Sequence, residues 1–268
     1  MLLREVEYAR PASVQEALRL LGANDGARAL AGGQTLINVM KARAASPDVL
    51  VDLADIDELR GIELGSDGTL DVGAMTTYTD IVESAEARAR PILGEVCNQI
   101  ADVQVRNRGT IGGNVCSNDP TNHLPPLLVA IGATMTIVGP NGERSVSAEG
   151  FFLGVYMTAV GPGELLTKIS VPPGKGDGFA SVPIGKDGTC IVNVAASLDG
   201  GAPRLAIGCV GSVPVLLEPD STEDDAVLTA VQRAKLDPPW DVHASADYRR
   251  HLAEVLALRA VAQAAGKN

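Results

Sequence analysis

Two short segments carry residue types that bind phosphate without help from a basic side chain. One is Ala31, Gly32, Gly33, Gln34, Thr35 and Leu36; the other is Thr110, Ile111, Gly112, Gly113 and Asn114. A diglycine turn lets successive backbone N–H groups converge on one point, because glycine enters the left-handed region at little cost. Such a nest binds anions, and a helix starting beside it adds partial positive charge. Thr35, Thr110 and Asn114 add hydroxyl and amide groups. Two turns of this kind facing each other would hold a pyrophosphate. Singly, each is also an ordinary tight turn in a chain with 29 glycines. Neither the GxGxxG fingerprint nor the GxxxxGK[ST] loop is present, so the usual NAD and ATP frames have no support.

The rest of the composition narrows the ligand. A net charge of −11 argues against nucleic acid, whose phosphates are met by Lys and Arg, and against an anionic membrane surface. The segment MLLREVEYARPAS lacks the apolar run of a signal peptide, and no stretch approaches a membrane span. A cytoplasmic protein is the expectation. Cys97, Cys116, Cys190 and Cys209 form no CxxC pair, and His123, His243 and His251 are scattered, so zinc and iron–sulfur spacing is absent. The thiols read as small buried residues. Aromatics are only 3% of the chain, so ring stacking is not expected to be a main binding device.

These loops need elements to position them. A capping box at Ser13 and Glu16 predicts a helix that stops near Gly22. A strand at 28–31, a helix at 35–43 and a strand at 49–53 follow. The next stretch mixes strands (70–74, 134–138) with helices (91–101, 124–131), and Asn141-Gly142 reads as a hairpin turn. Pro172, Pro173, Gly174, Gly176 and Gly178 form the clearest linker. Beyond it come strands at 190–198 and 204–210, then helices at 223–236 and 245–263. Without regular βαβ alternation the fold class is α+β. Three parts follow: 1–54, 55–172 and 173–268.

The segment AGGQTLINVMKAR followed by DLADI resembles the first FAD motif of the medium subunit of aerobic carbon monoxide dehydrogenases and of the xanthine dehydrogenase flavin domain. RNRGTIGGNVCSNDP resembles that family's second FAD motif, and SADYRRHLAEVLALRAV its C-terminal helix. The matches occur in order and span essentially the whole chain. The resemblance implies two α+β subdomains cradling FAD, then a C-terminal α+β domain. It also implies a small partner with two [2Fe–2S] centres and a large molybdopterin partner, assembled as a dimer of heterotrimers. Substrate would be oxidised on the large partner, and electrons would pass through the iron–sulfur centres to the flavin and on to an external acceptor.

Residue by residue, the resemblance puts Ala31 to Leu36 and Thr110 to Asn114 around the diphosphate. Leu166 matches an apolar position near the flavin and also reads as a strand core residue. His123 stands where many relatives carry an Asp facing the adenosine ribose. Val182 and Thr189 stand where relatives carry Lys and Asp near the isoalloxazine, with Lys186 between them as a candidate. The cysteine-rich loop of some relatives is missing between Asn114 and Leu124, so an extra [4Fe–4S] cluster is not expected. Two readings compete with the electron-transfer subunit: a self-sufficient FAD oxidoreductase, and an interaction protein without cofactor. The first would need its own acid or base near the flavin; the intact diglycines argue against the second.

Overall fold

The computed structural model describes residues 3–185, 189–199 and 202–267. The first part has β1 (Glu7–Ala9), α1 (Val14–Ala23), β2 (Ala27–Leu30), α2 (Leu36–Lys41) and β3 (Val49–Asp52). Ser13 caps α1 by accepting from the Glu16 N–H at 3.2 Å. The Glu16 carboxylate returns to the Ala12 N–H at 3.1 Å rather than to Ser13, so the box is displaced by one residue. The helix runs through Gly22 to Ala23. The strands form a parallel sheet in the order β1-β3-β2. The first part thus forms βαβ units, within a chain whose elements do not alternate regularly as a whole. β1 escaped notice because EYA is short and largely exposed, with no apolar alternation to reveal it.

The middle part holds β4 (Ile62–Leu64), β5 (Leu70–Gly73), α3 (Tyr78–Glu83), α4 (Pro91–Gln99), α5 (Val103–Arg106), α6 (Ile111–Ser117), α7 (Leu124–Ala130), β6 (Thr134–Gly139), β7 (Gly142–Ser147), α8 (Ala148–Phe151), β8 (Phe152–Gly154), β9 (Met157–Thr158) and β10 (Leu165–Val171). Its antiparallel sheet runs β4-β5-β10-β6-β7. The β6–β7 hairpin closes where Gly139 pairs with Gly142, so the turn itself is Pro140-Asn141. α7 is buried at every residue, as a helix apolar on all sides must be. Side chains alternate along β10: Leu165 joins the core of the first part and Leu166 that of the middle part. The start of this strand therefore ties the two together.

The last part has β11 (Asp177–Pro183), β12 (Cys190–Ser197), β13 (Arg204–Gly208) and β14 (Val215–Leu217) in one antiparallel sheet, then α9 (Asp224–Arg233) and α10 (Ala246–Ala264). Ser245 caps α10 through the Tyr248 N–H at 3.2 Å. One sheet face meets α7, with Phe179, Ala195 and Ala206 in the middle core. The other face lies under α10, where Ala180, Val194, Leu205 and Ile207 meet Leu252, Leu256 and Ala260. Fold class and architecture are α+β, as the sequence implied.

The Pro/Gly-rich stretch after β10 is no loose linker. Arg90, 2% exposed, sends Nε and Nη2 to the two carboxylate oxygens of Asp177 at 2.8 Å each, and Nη1 to the Pro172 carbonyl. Ser197 Oγ and Asp199 complete the clamp. A side chain at Gly178 would put Cβ 2.0 Å from the Ala260 carbonyl, so this glycine lets α10 lie directly on β11. The glycines here serve close approach.

Breaking this pair leaves a buried carboxylate without its cation, which costs about 3–5 kcal/mol. Arg90→Met is expected to lower the melting temperature sharply, and Arg90→Met with Asp177→Asn to recover part of the loss. A single variant that melts like the parent chain would contradict the clamp's role.

Candidate functional site

A cleft of about 730 Å³ opens between the first and middle parts, within the size range of small-molecule and cofactor sites. Gly32, Gly33, Gln34, Thr35 and Leu36 line it from one side; Thr110, Gly112, Gly113 and Asn114 line it from the other. The two loops touch. A Cβ on Gly32 would sit 2.0 Å from the Arg108 carbonyl oxygen, and one on Gly113 would sit 3.4 Å from the Ala31 Cβ. The facing arrangement expected from the sequence is present, and glycine at 32 is what permits it.

The loops differ in what they offer. In the first, the N–H groups of Gly32, Gly33, Gln34, Thr35 and Leu36 donate to no protein acceptor among the described residues. Gly33 is left-handed, at φ +73°. Thr35 precedes α2 without using its side chain as a cap, leaving an exposed hydroxyl at the loop. This is a row of five free amides beside a helix start. In the second loop the four amides from Ile111 to Asn114 are already committed. Ile111 N–H donates to the Thr76 carbonyl at 3.0 Å and Gly112 N–H to that of Ala74 at 2.9 Å. Gly113 N–H donates to Thr110 Oγ1 and Asn114 N–H to the Thr110 carbonyl, both at 3.0 Å.

The expectation of a second amide nest is therefore corrected. Gly112 and Gly113 lie within α6 rather than in a left-handed turn. Gly112 is small because a Cβ there would come within 2.6 Å of the Ala74 carbonyl. What this side does offer is the Asn114 side chain, whose buried Oδ1 has no hydrogen-bond partner among the described residues. Tyr78 also lines the cleft, and burial pushes its hydroxyl well above the ordinary tyrosine range.

The cleft presents the free amides of its first loop to an anionic ligand. Arg28 is the one basic side chain among its described lining residues, and that guanidinium is turned to the carbonyls of Asp25 and Ala27. Anion binding here must rest on amides and hydroxyls, which suits an acidic protein. The apolar lining, with Val39, Leu53, Met75, Val160 and Leu165, suits ring systems.

Eleven of the fourteen residues singled out in the sequence line the cleft, Ala31 and Leu166 among them. Three do not. Ile111 is fully buried beneath the loop. Lys186 lies outside the described residues. His123 is 2% exposed, with Nε2 3.3 Å from Cys190 Sγ and its ring stacked on Phe179 at 5.7 Å between centroids. It is a packed residue between α7 and the C-terminal sheet and does not line the cleft, so its assignment to a ribose is corrected. The neighbouring Asn122 does line the cleft, and its side chain bonds the Asn114 carbonyl and Ser117 Oγ. Tyr78, Tyr156 and Glu164 also line it and escaped the sequence reading.

Fold and cleft together define a flavin-dinucleotide domain built from two facing loops. A family model described as the FAD binding domain in molybdopterin dehydrogenase matches residues 4–174, and the chain belongs to that family. It is 38% identical over 290 residues to the carbon monoxide dehydrogenase medium chain of Afipia carboxidovorans, covering 100% of both chains. It is 35% identical to the glyceraldehyde dehydrogenase medium chain of Sulfolobus acidocaldarius, covering 97% of this chain and 99% of that one. Among solved structures, reconstituted CO dehydrogenase from Oligotropha carboxidovorans superposes with a TM-score of 0.92 at 35% identity, with 100% of both chains covered. The protein is thus an FAD-binding medium-type subunit of the molybdenum hydroxylase group.

Two substitutions test the geometry. Gly32→Ala forces a Cβ against backbone, which costs about 1–3 kcal/mol of overpacking and must push the loops apart. Flavin content is expected to fall at least tenfold, whereas Gly22→Ala, with open space around it, keeps full flavin. Equal flavin in both would remove the loop contact from the argument. His123→Asp sets a carboxylate against the Cys190 thiol and the Phe179 ring. It is expected to destabilise the fold by about 2–4 kcal/mol at neutral pH. The buried carboxyl would have a raised folded-state pKa, so the penalty shrinks as pH falls toward the ordinary carboxylate range. Urea midpoints at two pH values read this directly.

Proposed function

We propose that this chain is the electron-transfer subunit of a molybdenum hydroxylase complex. It takes electrons from the [2Fe–2S] centres of a small partner and passes them through FAD to an external acceptor. The complex would also contain a large molybdopterin subunit, assemble as a dimer of heterotrimers and reside in the cytoplasm. The observation that carries this reading is the row of five free amides on the first loop, in a chain that matches medium subunits end to end. The division at 54 and 172 belongs to the same reading, supported by the three separate main sheets.

In this reading Gly32, Gly33, Gln34 and Thr35 hold the diphosphate by N–H and hydroxyl donors. Thr110 and Asn114 close the opposite side, with the orphaned Asn114 Oδ1 accepting from a ligand hydroxyl or amide. Leu165 and Leu166, at the start of β10, form an apolar wall that excludes water. The bound flavin supplies reversible redox chemistry; the chain supplies binding, orientation and the dielectric around it.

The self-sufficient oxidoreductase reading needs a proton-transfer group in the cleft that titrates near neutrality. Among the described lining residues none does so. Glu164 is held below the usual carboxylate range by its hydrogen bond to Arg144, which spans 2.6 Å. Burial pushes the Cys116 thiol up to about 12 and raises the Tyr78 hydroxyl above its ordinary range. These groups favour a cleft that binds a redox cofactor over one that does acid–base chemistry on a substrate.

The purified chain is expected to carry one non-covalent flavin, released by heat or acid as FAD and not FMN. A tagged copy expressed in its native host is expected to bring down two further subunits together with iron and molybdenum. A chain that binds FAD, captures no such subunits and turns over a substrate alone would move the assignment to the self-sufficient class. A folded chain that never takes up flavin would refute both.

A further inference from the structure

The β8–β9 hairpin projects an aromatic ring at the cleft that neither the sequence pattern nor the loops explain. Tyr156 lines the cleft yet is 63% exposed. Its backbone is left-handed, at φ +57°, a region that bulky side chains rarely adopt. Two contacts hold it there. Its N–H donates to the Asn118 carbonyl at 3.1 Å, and Asn118, 1% exposed and itself at φ +40°, sends Nδ2 to the carbonyls of Gly154 and Met157 on either side. The hydroxyl donates to Asp119 Oδ2 at 3.3 Å. Asp119 is anchored in turn, accepting from the Thr121 N–H and hydroxyl through Oδ1. The nearby Asp119 carboxylate pushes the Tyr156 hydroxyl above its ordinary range, so it stays protonated and keeps donating.

A surface tyrosine at a hairpin tip needs none of this. Glycine or asparagine would relieve the backbone, and an exposed ring without a partner contributes nothing to folding. Strained non-glycine positions that the surroundings over-determine cluster at ligand clamps. The apparatus fixes a flat apolar ring, with two side-chain torsions and a tethered tip, on the wall of a cleft sized for a dinucleotide.

We propose that Tyr156 is a ring-binding residue of the cleft: its phenol stacks on one planar ring system of bound FAD at the mouth and shields it from water. The proposal rests on the FAD reading given above. It does not conflict with the low aromatic content, because a single ring suffices where backbone amides hold the diphosphate. Stacking of one heterocycle on one aromatic side chain is worth a dissociation-constant change of about ten- to a hundredfold.

The test uses the full chain stripped of flavin and titrated with FAD, FMN and ADP. Tyr156→Ala is expected to weaken FAD about ten- to a hundredfold, while Tyr156→Phe stays within about threefold. The ring involved is the one whose fragment, FMN or ADP, loses the same factor. Tyr156→Gly provides the signature that a structural role cannot imitate: relief of the backbone should hold or raise the melting temperature while FAD binding still falls as in the Ala variant. Unchanged FAD affinity in Tyr156→Ala, or a Phe variant as weak as the Ala variant, overturns the stacking role alone. A parent chain that does not bind FAD overturns the function on which it rests, and the proposal with it.

Discussion

The cleft depends on one close approach, that of Gly32 to the carbonyl of Arg108. A Cβ at 32 would stand 2.0 Å from that oxygen, and both partners are main chain, so no rotamer change can relieve the clash. The second loop cannot give way either. It is bridged to the segment after β5, with Thr77 opposite Thr110 and the amides of Ile111 and Gly112 bonded to Thr76 and Ala74. The first loop must therefore lie against a fixed wall.

That division of labour settles the electrostatics of an acidic protein with a phosphate-bearing ligand. A chain of net charge −11 attracts no anion at long range. The binding must come from fixed dipoles at short range, and amides that no protein acceptor satisfies are the donors available. Their cost in the free protein is low, because the loop faces an open, wettable cleft. When a diphosphate replaces water, the bonds become charge-assisted and are worth about 1.5–3 kcal/mol each. The second loop gives shape and a single orphaned acceptor, Asn114 Oδ1, in place of a second anion nest.

Local signals were legible and tertiary ones were not. Ser13 and Ser245 announced their helices because a cap is decided by a hydroxyl and the amide three residues on. The first glycine pair announced the cleft from its place between a strand and a helix, and the second from the hydroxyl and amide that flank it. Which pair keeps free amides was invisible, since that depends on carbonyls at Ala74 and Thr76, more than thirty residues before the loop they bind. Pro172 to Gly178 read as a linker because composition marks turns but does not show that Arg90 reaches back to bind Asp177. His123 read as a cleft residue from its place after the motif; its burial is set by Cys190 and Phe179, which come from a different sheet. Tyr156 carried no sequence signal at all, because its placement arises from the fold of a hairpin onto Asn118.

The short stretch after the second loop joins the C-terminal sheet to the cleft. Cys190 N–H donates to the Thr121 carbonyl at 3.2 Å, and Asn193 Nδ2 to that of Asn122 at the same distance. Asn122 lines the cleft and bonds back to the Asn114 carbonyl, while Asp119 tethers Tyr156. Within this stretch Thr121 and Asn122 thus receive hydrogen bonds from β12, while Asn122 and Asp119 hold the cleft side. His123 closes the stretch as a packed ring against Cys190 and Phe179. The C-terminal sheet thus supports one wall of the cleft through Asn122 and Asp119, whereas the free amide row belongs to the N-terminal βαβ unit.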